Sequence, residues 1–515
     1  MSLAEPGYNN RLSIRDFVDS NAKSHGDKTY LIDPETGEET SFAHCQSEVH
    51  RIATQIHAYG IKPGETVAFA AANSSQTAMV ILGLLYGGYI ATAINLVAGE
   101  STIAYVLEHS ETRLIIADDN SEKMLSPILS DMHQAPELIL MATISKGASG
   151  SVSQEKCSDI SAELDGLLMY TSGTTGRPKG VILTQNNLIA GGSSVATAHQ
   201  LKPADRGLCV LPFYHINAFC VSLIGSLVSR SSLVIPTKFS VSSFWHSVRE
   251  NNCTWFSVVP TQISYLLHNA DKPGCDATGC ESLRFGRSAS APLSPDMHQA
   301  FESRFKVPII ETMGLTETAA QILSNPLPPE TRKTGSPGIA FCNEVMIGDS
   351  QQKEVERGTE GEILVRGKNV LRCYLKNEEA TGQTITPDRW LRTGDLGRMD
   401  SDGYVYVTGR LKELIIKGGE NIAPREVDEA LYAHPGVVEA AAFAVDCNDY
   451  GQRVQAGVRI SEGASISEEE LISLCVRKLG AFKSPDRVYF LPELPKGPSG
   501  KIQRIKLAEQ VSAGL

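Results

Sequence analysis

Residues 171–180, TSGTTGRPKG, place three glycines, three threonines and one serine around a single lysine, Lys179, and the apolar run DGLLMY leads into them. Glycine lets backbone N–H groups converge in conformations that a Cβ would block, and hydroxyls add further donors, so such a loop can wrap a phosphate chain. Thr171, Ser172, Gly173, Thr174, Thr175, Gly176 and Lys179 are the candidate contacts. A phosphate-binding P-loop would need Gly-Lys-Ser/Thr followed by a helix. Here Arg177 and Pro178 separate Gly176 from Lys179, and Pro178 opposes a helix whose amides point at phosphate from the lysine onward. From the loop alone, an anion cradle and a Gly/Thr-rich surface turn both stand.

A cradle needs rigid elements behind it, and the flanking sequence supplies them. From about residue 28, short apolar runs alternate with helical stretches: TVAFAAANS, SQTAMVILGLLYGG, ATAINL, RLIIADD. After the loop come LCVLPFYH, SSLVIP, CTWFSVVP and VPIIETMG. Such alternation predicts parallel or mixed sheets covered by helices, with ligands at the carboxyl ends of strands. His215, Arg287 and the turn Thr316-Glu317-Thr318 are each expected just after such a strand. Near residue 409 the character changes. GRLKELIIKGGENIAPREVDEAL, the strands VVEAAAFAV and RVQAGVRI, a helix with a Ser467-x-x-Glu470 capping box, and RVYFLPEL form a separate α+β unit of about 100 residues, large enough to fold alone.

Composition narrows the function classes. At 515 residues the chain exceeds one hydrophobic core, and 42% hydrophobic with 21% charged residues is ordinary for a globular enzyme. A net charge of −12 disfavours a general nucleic-acid binder. Eleven cysteines without paired spacing suit a reducing compartment and give no zinc site. No secretory signal or peroxisomal SKL is visible, so a cytoplasmic location is expected. Residues 77–96 form the one membrane-like run, but Gly87 and Gly88 should break it into a buried helix and a strand, and no basic flank marks an inside face.

Five motifs occur in one order: YTSGTTGRPKG at 170–180, MGLTET at 313–318, LRTGDL at 391–396, GRLKELIIKGGENI at 409–422 and PSGKI at 498–502. Together they resemble the adenylate-forming superfamily of acyl-CoA synthetases, peptide-synthetase adenylation domains and luciferases, over nearly the whole chain. The resemblance implies an α/β fold: a large N-terminal domain of mixed β-sheets flanked by helices, residues 1–411, and a small mobile α+β C-terminal domain, residues 412–515, hinged at Lys412. It also implies a two-step reaction with ATP, Mg2+ and coenzyme A, through an acyl-adenylate.

Residue by residue, the 171–179 loop resembles the segment holding the β- and γ-phosphates. Glu317 matches the magnesium-binding glutamate, with Thr174 as a hydroxyl contact, and Thr316 lies in the same motif. Asp395 matches the ribose-binding aspartate, Arg410 its neighbouring arginine, and Lys501 the lysine that bridges carboxylate and α-phosphate. Gly418 and Gly419 match the face that admits the pantetheine arm. The chain departs from the family pattern at Met313, where relatives stack a tyrosine on adenine; a looser adenine contact is expected.

The acyl pocket is expected behind the adenylate, lined by residues following His215 and by RSASAPL, with His215, Arg287 and Ser288 as catalytic or substrate-binding candidates. Arg287 stands where many relatives are apolar or variable, and the segments around it look most like the oxalate–CoA ligase branch. A planar guanidinium fits a carboxylate or sulfonate, although a structural arginine paired away from the pocket fits the same position. Ala289 and Ser290, in place of two glycines, should shrink the pocket. A small, dianionic acid resembling oxalate, malonate or sulfoacetate is therefore the expected substrate. A stand-alone adenylation enzyme loading a carrier protein and a medium- or long-chain fatty acid–CoA ligase are the alternatives. Nucleic-acid partners and a membrane span are not expected, and a homodimer is one option for assembly.

Overall fold

The computed structural model describes residues 12–146, 160–171, 177–447, 449–497 and 502–512. Two large sheets share one core. A seven-stranded sheet runs Cys373–Tyr374, Lys179–Thr184, Asp165–Thr171, Ile90–Ala93, Thr66–Ala70, Leu114–Ala117, Glu137–Leu140. A nine-stranded sheet has Ile309–Leu315, Phe285–Ser288, Trp255–Val258 and Arg206–Cys209 as parallel neighbours. The helix Gln185–Ala198 and the helical segment beginning at Asn217 pack between the sheets, and Leu167, Val181, Leu188, Phe219 and Ile310 belong to one buried cluster. On the outer face of the nine-stranded sheet, Phe244, Trp245, Phe256, Phe301 and Phe305 form a second, aromatic core.

The strands with helices on both sides read as continuous apolar runs because both of their faces are buried. Thr66–Ala70 and Leu114–Ala117 are buried at every position. The membrane-like run resolves as expected into a buried helix, Ser75–Gly87, and the strand Ile90–Ala93. The helix continues through Gly87, and only Gly88 leaves it, at φ 76°. A Cβ on Gly83 would lie 2.7 Å from Ile52 Cγ2, so this glycine serves close packing against the helix Phe42–Ala58. Among the described residues no helix is long and apolar enough to cross a membrane.

A four-stranded antiparallel sheet, Glu344–Gly348, Gly361–Arg366, Leu391–Met399 and Val405–Arg410, follows. After a turn at 411–413 comes the smaller unit, whose sheet is built on the long hairpin Val437–Cys447 and Gly451–Ile460. Its helix Pro424–Tyr432 starts on proline, as the sequence predicts. The expected capping box at Ser467 is half formed. Ser467 Oγ accepts the Glu470 N–H, but the Glu470 carboxylate turns to His434 Nε2 at 3.3 Å.

Candidate active site

The strand Lys179–Thr184 starts at the lysine and runs antiparallel to Asp165–Thr171, with Thr171 opposite Lys179. The glycine-rich segment therefore connects two paired strands and does not open a helix, which agrees with the rejection of a P-loop. Ser172, Gly173, Thr174, Thr175 and Gly176 lie outside the described residues, as does Lys501. Lys179 Nζ sits 5.0 Å from the centre of the Tyr374 ring, and the Tyr374 hydroxyl donates to Glu317 Oε1 at 2.9 Å. Burial and the Glu317 charge push the Tyr374 phenol well above its ordinary pKa, so it stays a donor. The lysine that closes the loop and the candidate magnesium carboxylate thus share one aromatic neighbour. Beside them a cavity of about 230 Å³ is lined by Tyr105, His109, Arg177, Lys179, Leu375 and Asn377.

Glu317 and Thr316 lie in a single 3-10 turn at the end of Ile309–Leu315, the strand that carries Met313. The turn is fixed by Leu371 N–H, which donates to Glu317 O at 2.7 Å, and by Thr318 Oγ1, which accepts from Leu315 N–H at 3.1 Å. Among the described residues no cluster of three His, Cys, Asp or Glu side chains could hold a metal. One carboxylate completed by substrate phosphates is the mode Mg2+ commonly uses, and Glu317 fits it.

Asp395 and Arg410 oppose each other in register on Leu391–Met399 and Val405–Arg410, with Arg410 Nε 2.6 Å from Asp395 Oδ1. Burial works against the Arg410 charge, but the Asp395, Glu413 and Glu317 carboxylates outweigh it and raise its pKa.

The sequence placed Arg287 just beyond a strand. It lies inside one, Phe285–Ser288, opposite Ser257 and Ile310 on the neighbouring strands. Arg287 is 1% exposed, and no carboxylate pairs with it among the described residues. Its Nη1 donates to Ser257 Oγ at 3.2 Å and to Asn217 Oδ1 at 3.3 Å, and Ser257 Oγ donates to Asn217 Oδ1 at 2.9 Å. Two donors, Arg287 Nε and Asn217 Nδ2, remain buried without an acceptor. Burial lowers the Arg287 pKa to about 9. A buried cation without an opposite charge costs several kcal/mol, on the order of 3–5 when its partner is missing. Ser288, next in the strand, is fully buried with an unpartnered hydroxyl, and Ser290 holds φ 72°, a conformation glycine would take without strain.

His215 is half-buried at the start of the helical segment, its ring edge-on to Tyr214 at 4.6 Å. Residues Asn217–Ile224 form a π-helix, a geometry that often re-aims side chains at functional sites. Asn217, Ser257 and Tyr374 were missed in the sequence. Asn217 and Ser257 are lone polar residues in the apolar runs INAFCV and WFSVV, a signal that could have exposed them; Tyr374 carries no such mark.

Gly418 and Gly419 take φ 58° and 85° between the strands Ile415–Lys417 and Glu420–Ile422. Two successive residues with positive φ are what a tight two-residue hairpin needs. The side chain of Lys417 turns inward, donating to Phe482 O at 2.9 Å. Lys412 sits in the exposed turn between Arg410 and this small sheet.

Comparison with known proteins agrees with this architecture. The AMP-binding enzyme family model matches residues 18–375, and the model of the AMP-binding enzyme C-terminal domain matches residues 426–501. The chain is 44% identical to the sulfoacetate–CoA ligase of Cupriavidus necator, covering 93% of this chain and 94% of that protein. It is 34% identical to the oxalate–CoA ligase of Arabidopsis thaliana, covering 87% and 89%. The ATP-bound MatB structure from Rhodopseudomonas palustris superposes with a TM-score of 0.88 at 28% identity, covering 97% of this chain and 99% of that one. The chain belongs to the AMP-binding enzyme family, as an AMP-forming acid–CoA ligase that uses ATP, Mg2+ and coenzyme A.

Proposed function

We propose that this ligase activates a small acid bearing a second negative group, an oxalate-, malonate- or sulfoacetate-like dianion. The observation that carries the reading is the buried guanidinium of Arg287, whose Nε and the nearby Asn217 Nδ2 are donors without acceptors, with no carboxylate among the described residues to meet it. A fatty or aromatic acid would leave that charge unpaired, whereas a carboxylate or sulfonate would satisfy it bidentately. The names of the relatives, a sulfoacetate–CoA ligase and an oxalate–CoA ligase, point the same way.

In this reading Arg287, Asn217 and Ser257 hold the remote anionic group, with His215 and Ser288 lining the same region. The free carboxylate is left to attack the α-phosphorus of ATP. As that P–O bond forms, the bond to pyrophosphate breaks, and Lys501 spans the carboxylate and the α-phosphate while charge builds between them. Residues 171–176 and Lys179 hold the β- and γ-phosphates, Asp395 and Arg410 the ribose, and Met313 the adenine, with Thr316 contacting the nucleotide from the Glu317 turn. Mg2+ held by Glu317 and Thr174 would neutralise phosphate charge. In the second step the sulfur of coenzyme A bonds to the acyl carbon, AMP departs with the electron pair of the broken C–O bond, and the thiol proton is released. Gly418 and Gly419 give the pantetheine arm close access to backbone after a rotation of residues 412–515 about Lys412.

Pyrophosphate release, measured with and without coenzyme A over oxalate, malonate, sulfoacetate, acetate, propionate, octanoate and benzoate, tests the reading. One of the three dianions is expected to give the highest kcat/KM. Preference for octanoate or benzoate overturns it.

A further inference from the structure

The smaller unit touches the larger one through a polar cluster that neither the phosphate loop nor the acyl pocket uses. Tyr265 lies on the helix Pro260–His268 of the large part. Its hydroxyl donates to Glu439 Oε1 at 3.0 Å and accepts from Lys496 Nζ at 3.2 Å, and Lys496 Nζ lies 2.6 Å from the same carboxylate oxygen. Glu439, on the long hairpin of the small unit, is 1% exposed. Arg459 adds a second cation, with Nε 3.4 Å from Glu439 Oε2 and its guanidinium carbon 5.2 Å from the Tyr265 ring centre. One residue away, Ser264 Oγ donates to Val438 O at 3.1 Å.

Lys496 is also one side of the base of the segment that carries Lys501. It bridges Ile502 in antiparallel fashion, and Gln503 N–H donates to Pro495 O at 2.8 Å, so the two ends of the segment are tied together. Beyond that tie the helix Arg504–Ser512 begins, and Arg504 Nη2 is clamped to Asp428 Oδ2 at 2.6 Å. Within the small unit the base is therefore held on both sides. Among the described residues, the hydrogen bond that links this base to the large part at this cluster runs from Lys496 to the Tyr265 hydroxyl.

We propose that Tyr265, Lys496 and Glu439 form an anchor that positions the Lys501 segment over the large domain for the adenylation step, and that must let go before the coenzyme A step. This rests on the assignment of Lys501 made above. Glu439 and Lys496 travel together on the small unit, and Tyr265 is the fixed post. A single phenolic hydroxyl bonded to a charged pair makes a contact that is directional and still breakable. Tyr265, Lys496 and Glu439 are positioning residues that act through Lys501.

The two half-reactions are measured apart: ATP–pyrophosphate isotope exchange with the best acid of the panel for the first, and coenzyme A-dependent consumption of the preformed acyl-adenylate for the second. Tyr265→Phe removes only the hydroxyl and is expected to slow exchange about tenfold, as loss of a hydrogen bond to a charged group does, while the second step holds or quickens. Lys496→Met is expected to slow exchange more, and Lys496→Arg to restore most of it. Equal loss in both steps for Tyr265→Phe, or loss in neither, overturns the anchor. Lys501→Ala is run beside them. Equal loss in both steps for that variant overturns the Lys501 assignment instead, whatever Tyr265→Phe shows.

Discussion

Arg410 Nε lies 2.6 Å from Asp395 Oδ1, across the last antiparallel pair before the chain leaves the large domain. The residue matched to ribose binding is therefore coupled to the strand end from which the small unit hangs, and Lys412 is two residues further on. Leu411 N–H donates to Gly394 O and Glu413 N–H to Arg410 O, so backbone bonds close on either side of Lys412. The proposed rotation about Lys412 would begin beyond the Asp395–Arg410 pair.

Lys412→Pro should trap the small unit, because proline fixes φ near about −65°. We expect steady-state turnover to fall about tenfold or more while one half-reaction keeps its rate, as for a conformational step made limiting. Rapid-quench measurement of each half-reaction decides it, and unchanged turnover would remove Lys412 from the hinge.

Lys501→Ala should lower the rate of acyl-adenylate formation by about 10² or more, the usual scale for removing a preorganised charge from a developing anion. Thioester formation from supplied adenylate should persist. Pyrophosphate release and thioester appearance, followed separately, provide the check.

Arg287→Ala should cost the preferred dianion about 2–5 kcal/mol, or about 30-fold and upward in kcat/KM, because the second charge of the substrate is left desolvated. Acetate and propionate should lose little or improve. Equal losses for monoanions and dianions would show that the arginine supports the strand and reads no substrate.

Gly314→Ala tests the turn that presents Glu317. A Cβ at Gly314 would stand 1.5 Å from Ala320 O, at the bulge where Ile309–Leu315 pairs with Ala320–Ser324. The backbone must shift, with an expected loss of about 2–4 kcal/mol of stability. Activity should fall even at temperatures where circular dichroism shows the fold intact. An alanine variant with wild-type kcat would mean that Glu317 tolerates displacement.

Glu302 predicts an acid-sensitive contribution at the root of the same strand. Burial works to raise its pKa, but hydrogen bonds from His298, Arg332 and Ile309 N–H prevail and bring it down to about 2. Its contribution to stability is therefore complete above the unfolded value of about 4.3 and disappears as pH falls through about 2. After solvent screening, about 1–2 kcal/mol is expected. Urea unfolding of Glu302→Gln against wild type should show that gap at pH 6 and none near pH 2. A gap of constant size would assign the effect to packing.

The linear order of residue types was enough to determine the α/β architecture, because local rules govern it, and the five motifs in order were enough for the resemblance that implies the reaction class. Burial on both faces makes each central strand an apolar run, as in Thr66–Ala70. Proline at the start of Pro424–Tyr432 and positive-φ glycines at 418 and 419 mark a helix start and a tight turn within a few residues. The partners of side chains far apart in the chain were decided only by the tertiary structure. That Arg287 is buried beside Ser257 and Asn217, with no carboxylate paired to it among the described residues, was decided by how the sheet brings those strands together. Tyr374 became the neighbour of both Lys179 and Glu317 through strand pairing over almost two hundred residues. Tyr265 met Glu439 and Lys496 across two domains. Sequence periodicity reports which face of an element is buried; what lies against that face depends on how sheets stack, and that is a property of the whole chain.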